Sequence, residues 1–100
     1  MAELGNNAKA GLVTALNGAL ADTVALYFKT KNFHWHVAGP RFRDLHLLFD
    51  EQAAQLIGTV DDIAERVRKN DEYTLTSIGT VAAETKIKDQ DDVTITADAM

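Results

Sequence analysis

The chain has 100 residues, with 15 acidic and 10 basic side chains and a formal net charge of -5. That length bounds it to one domain with a modest core, of a size that leans on a partner or a staple. Cysteine is absent, which excludes disulfides and thiolate metal sites and fits a reducing, cytoplasmic setting. The acidic balance argues against phosphate-backbone binding as the main activity and suits the attraction of cations. Met1 to Asn7 lacks the basic-then-apolar pattern of a signal peptide. No apolar run approaches ~18 residues, so no membrane span is expected.

The first expected helix covers residues 7–37. Leu12, Leu16, Leu20, Val24, Tyr27 and His34 recur at three- or four-residue steps, interrupted by Lys31, and mark one face. Asn6 or Asn7 is suited to cap its start. Ala38-Gly39-Pro40 ends it, because glycine suits the turn and proline disfavours helical geometry in the residue before it.

A second helix is expected over 41–69. Phe42, Leu45, Phe49, Leu56, Val60, Ile63 and Val67 follow a near-heptad spacing, with Gln52 and Ala53 in the gap. So short a connection makes the two helices antiparallel neighbours. Residues 71–95, rich in Thr, Val and Ile, read as a crossover with a short helix within 79–90, around Val81 to Glu84. Thr96 looks like the cap of a third helix over 96–100, where the sequence stops.

Polar residues on the apolar faces suggest chemistry. His46 and Asp50 stand four residues apart on one helix face, within reach of one ion. In a hairpin turning at residues 38–40, His34 comes level with His46. Asp61 and Glu65 form a second such pair, about 60° around the helix from His46 but about 22 Å further along it. One ion cannot be held by both pairs of a single chain. A two-fold dimer of antiparallel hairpins lays residue 46 of one chain beside residue 61 of the other, twice. The expected sites each combine two histidines and three carboxylates drawn from both subunits. Imidazole and carboxylate without sulfur suit Fe, Mn or Zn, and many carboxylates on long helices favour iron. Carboxylates stabilise ferric more than ferrous iron, so oxidation is the natural direction. The bland reading is a solvated acidic face and packed histidines on a purely structural hairpin that dimerises.

The stretch Lys29-Thr30-Lys31-Asn32-Phe33-His34-Trp35-His36-Val37-Ala38-Gly39-Pro40, followed by Phe42, His46, Asp50 and Glu51, resembles the Dps family of mini-ferritins. So does Asp61-Asp62-Ile63-Ala64-Glu65-Arg66, and the ligand positions are separated by the family's gaps of 12, 4, 11 and 4 residues. The resemblance implies an all-α, ferritin-like four-helix bundle, of which a single domain over 1–100 holds helices one and two plus the crossover. It implies an iron-binding ferroxidase: His34, His46 and Asp50 from one subunit, Asp61 and Glu65 from its two-fold mate. It further implies Fe(II) oxidation by hydrogen peroxide, ferric storage in a hollow dodecameric shell, and protection of DNA.

Trp35, beside the site, is an electron or radical trap on the family reading and a core aromatic otherwise. His36 matches no ligand position and is expected at the surface or an interface. Family members that bind DNA directly often use lysine-rich tails. Met1 to Ala10 offers only Lys9, so a nucleoid-compacting role is not expected from this segment. Helices three and four would cover Leu16, Leu20, Phe49, Leu56 and Val60. At about 25 cal/mol per Å², losing that cover costs on the order of tens of kcal/mol, so residues 1–100 alone are not expected to build the shell.

Overall fold

The computed structural model describes residues 2–89 and 91, with side chains from residue 7 onward. It holds three helices, α1 (Ala2–His36), α2 (Phe42–Lys69) and α3 (Ile78–Glu84), and no strand among the described residues. At about 1.5 Å per residue, the 35 residues of α1 alone run for about 52 Å. They account for most of the long dimension of a 60 × 22 × 20 Å rod.

α1 begins earlier than the asparagines suggested. Ala2, Glu3 and Leu4 are good helix formers, so the helix passes through Asn6 and Asn7 rather than being capped by either. The first turn of the chain reversal keeps helical bonding, with the Val37 amide donating to the Phe33 carbonyl at 2.9 Å. Gly39 then takes φ 106°, a region open to glycine, and the Phe42 amide donates to its carbonyl at 3.0 Å. α2 follows directly, with Asp44 near its positive end and Arg66, Arg68 and Lys69 near its negative end. Asp71, at φ 59°, makes the left-handed turn that closes α2, and its amide donates to the Arg68 carbonyl at 2.9 Å.

α1 and α2 pack antiparallel along their length. The seam of α2 runs Phe42, Leu45, Phe49, Ala53, Leu56, Val60, Ile63 and Val67, all buried or half-buried except the terminal Phe42. Ala53, not position 52, fills the gap in the heptad pattern, and it is fully buried, as is Ala21 on α1. Leu20 of α1 is already buried within the chain, while Leu16 of α1 and Phe49, Leu56 and Val60 of α2 are half-buried. The hairpin therefore covers part of the apolar area assigned above to helices three and four.

The crossover travels back along α1, away from the end of α2. Lys9 pairs with Glu72 at 3.8 Å. The Asn17 amide donates to the Tyr73 carbonyl at 3.2 Å. Lys29 donates to the Lys88 carbonyl at 3.2 Å. The firmest tie is Asp22, whose Oδ1 accepts from the Thr85 hydroxyl at 2.8 Å and from the Lys86 amide at 2.6 Å. These donors hold the Asp22 carboxyl below its ordinary range, the Lys86 amide most strongly. α3 is capped by Ser77, whose hydroxyl oxygen accepts from the Thr80 amide at 3.1 Å, and it ends at Glu84. The helix expected over 96–100 lies outside the described residues.

α1 contains, within Asn7–His36, a stretch with mean hydropathy 1.3, long and apolar enough by composition to cross a membrane. The apolar residues are dispersed among small ones rather than forming one run, which is why the sequence pattern did not reveal it. Around the same helix, Asn17, Asp22, Lys29, Lys31 and His34 all make polar contacts with the rest of the chain. Such contacts suit a helix enclosed by protein, since a lipid-facing surface offers no partners to polar groups.

Candidate metal centre

The heptad seam of α2 and the short turn together decide what meets at the closed end of the hairpin. His34 sits two residues before the end of α1 and His46 in the second turn of α2. The antiparallel register brings them face to face, with ring centroids 3.8 Å apart and planes tilted by 21°. Phe42 also stacks on His46, with centroids 5.2 Å apart. Phe33 and Phe49 pack behind at 5.8 Å. The Nδ1 atom of each imidazole lies 2.6 Å from the main-chain carbonyl oxygen of the other histidine.

Asp50, one turn beyond His46, joins this pair. Its Oδ1 is 3.9 Å from His34 Nε2. The same oxygen accepts a 2.7 Å hydrogen bond from the Lys31 ammonium. Lys31 holds the Asp50 carboxyl below its usual range, and Asp50 in turn raises the lysine. The residue that interrupted the apolar series of α1 is thus the counter-ion of a candidate ligand. Its position one turn before His34, on the same helix face, was the sequence signal for this contact.

The structure brings together three of the five expected donors. Asp61 and Glu65 are exposed on α2, and Asp61 stands about 16 Å along the helix from Asp50. Among the described residues, no group of three or more His, Asp and Glu side chains is arranged to hold an ion within one chain. Trp35 is 55% exposed and meets Phe28 edge-on at 6.1 Å, so it is not a core aromatic of the hairpin. His36 is exposed and bonds only locally, through Nδ1 to the Asn32 carbonyl at 2.9 Å.

In chemical character, two imidazoles and a carboxylate fit a first-row divalent ion better than calcium or magnesium. Lys31 fits a cation site that is charge-balanced when empty.

Comparison with known proteins bears on the family and the fold. Residues 13–100 match the ferritin-like domain family. The chain is 46% identical over 68 residues to an uncharacterized low temperature-induced protein of Nostoc sp., covering 68% of this chain and 38% of that protein. It is 38% identical over 86 residues to the DNA protection during starvation protein of Agrobacterium fabrum, covering 86% of this chain and 53% of that one. Among solved structures, the Dps protein of Vibrio cholerae O1, described as a member of a broad superfamily of ferritin-like diiron-carboxylate proteins, superposes with a TM-score of 0.85. That match has 29% identity and covers 90% of this chain and 56% of the other. The chain thus spans about half the length, or less, of the relatives it matches. An all-helical hairpin with its crossover laid back along α1 is the first half of a ferritin-like four-helix bundle, and the chain belongs to the Dps family of mini-ferritins.

Proposed function

We propose that the protein is a Dps-type ferroxidase, with iron as its substrate and cargo. In this reading His34, His46 and Asp50 of one subunit and Asp61 and Glu65 of its two-fold mate bind Fe(II). The observation that carries it is the meeting of His34, His46 and Asp50 at the closed end of the hairpin, with the second acidic pair too far along α2 to join them. A second antiparallel hairpin offers the missing carboxylates. Leu47 (55% exposed) and Ile57 (47% exposed) share the side of α2 that carries Asp50 and Asp61, with Ala54 and Gly58 among them. Apolar and small residues thus stand exposed between the two acidic positions, a surface on which another hairpin can close.

The chemistry balances with hydrogen peroxide as oxidant. Two ferrous ions each lose one electron, the O–O bond breaks, and two protons complete two waters. The carboxylates favour the ferric products, and the ring nitrogens hold the ions while leaving their charge uncompensated. Trp35, exposed and next in sequence to His34, is suited to take up a stray oxidising equivalent. Storage of the ferric product in a dodecameric shell, protection of DNA by removal of both Fe(II) and peroxide, and a cytoplasmic location complete the reading.

Peroxide-driven Fe(II) oxidation tests it, with wild type set against His46→Ala and Asp61→Ala. Both variants should lose most of the rate. Equal rates in all three would overturn the proposal. A second reading, a structural hairpin without turnover, is favoured by the Lys31–Asp50 ion pair, which occupies a candidate ligand. It predicts those equal rates.

A further inference from the structure

We infer that His34 and His46 are locked by each other's main chain, before any ion arrives, in the tautomer that leaves Nε2 free on both rings. A main-chain carbonyl oxygen can only accept a hydrogen bond. The nitrogen 2.6 Å from it must therefore carry the proton. This holds for His34 Nδ1 against the His46 carbonyl and for His46 Nδ1 against the His34 carbonyl. In a neutral imidazole the proton sits on one nitrogen only, so both Nε2 atoms present a lone pair. Free imidazole side chains favour the opposite form, with the proton on Nε2. The hairpin thus inverts the intrinsic preference twice within a stack whose centroids are 3.8 Å apart.

Three features make the lock stiff. The acceptors are backbone atoms of two helices, so they cannot rotate away as a side-chain acceptor could. The two bonds are reciprocal and tie the last turn of α1 to the second turn of α2. Phe42 also stacks on the His46 ring, with centroids 5.2 Å apart, and so helps to hold its plane. Each histidine then has two duties. Nδ1 pins the helices together, and Nε2 is kept for the ion. Orientation of a metal-bound imidazole through its other nitrogen is general. What is particular here is that each ligand's orienting group belongs to the other ligand. The use of the Nε2 atoms rests on the site reading above, but the lock itself is a property of the metal-free chain.

Two measurements test it. Long-range nitrogen–proton correlation spectra of the metal-free full chain, at a pH where imidazoles are neutral, should place the protons of His34 and His46 on Nδ1. A dominant Nε2–H form on either ring would overturn the inference, while leaving the ferroxidase reading to its own assay. The second measurement compares His46→Asn with His46→Ala in the same metal-free chain. The asparagine Nδ2 group occupies the place of Nδ1 and can still donate to the His34 carbonyl, but it has nothing at the position of Nε2. Amide exchange at Val37 and Leu45, which flank the turn, should stay near wild type in His46→Asn. It should rise about tenfold in His46→Ala, the equivalent of one net hydrogen bond. Zinc binding should be weakened in both. Equal exchange in the two variants would refute the lock, because a histidine that served only as a ligand would give the turn no such dependence.

Discussion

Ala53→Leu puts the closeness of the hairpin under direct test. Ala53 has no exposed surface and fills the heptad position between Phe49 and Leu56. Leucine adds three heavy atoms where no free space exists. Overpacking of this kind costs about 1–3 kcal/mol, since neighbours must leave their preferred rotamers or the helices must part. For a chain of this size, each kcal/mol lowers the thermal midpoint by roughly 4–8 °C. The same displacement reaches the site. Ala53 is one turn from Asp50 along α2, about 4.5 Å, and the His34–His46 bonds tolerate little separation. Thermal unfolding followed by helical circular dichroism, with zinc titration on the same samples, should give a lower midpoint and weaker binding together. A variant with an unchanged midpoint and unchanged binding would refute the claim that the helices touch there and that their spacing controls the site.

Leu20→Ala, at the buried centre of α1, should cost about 2–5 kcal/mol in denaturant unfolding while leaving the donors of the site in place. Lys31→Met removes the cation that holds Asp50, so zinc titration should show tighter binding than wild type; weaker binding would mean that the lysine serves the ion rather than competes with it. Asp22 supplies a pH dependence. Its folded carboxyl lies below the ordinary value, so its grip on Thr85 and Lys86 is complete above about pH 4 and is lost as the pH falls through the lowered folded value. Exchange of the Lys86 amide should therefore accelerate on acidification beyond its intrinsic pH trend, and Asp22→Asn should flatten that excess.

The two long helices and their facing sides were legible because the 3.6-residue period and the single Gly39-Pro40 break leave few alternatives. Ala53 was only half legible: a small residue in a heptad gap reads as an interruption until the partner helix is seen to need the space. The convergence of His34, His46 and Asp50 followed from hairpin register alone. What sat against those residues did not follow from it. Lys31 looked like a flaw in an apolar face, because the sequence gives its helix position but not the length of reach to Asp50. The mutual carbonyl bonds of the histidines depend on ångström-level spacing between helices, which no periodicity encodes. Asp22 binds groups more than sixty residues away in the chain, and nothing local distinguishes it from a solvated aspartate. The start of α1 was not legible, because an asparagine cap and an asparagine within a helix look alike in sequence.

The central claim is that the site is shared between two chains, and subunit mixing tests it most directly. His46→Ala and Asp61→Ala are each inactive alone on this account. Co-assembled in equal amounts, a site works only where a chain with His46 faces a mate with Asp61. Half of the chains satisfy each condition, so about a quarter of wild-type peroxide-driven Fe(II) oxidation should return. If each site were built within one chain, no mixture would contain an intact site, and a rate no higher than that of the separate variants would contradict the account.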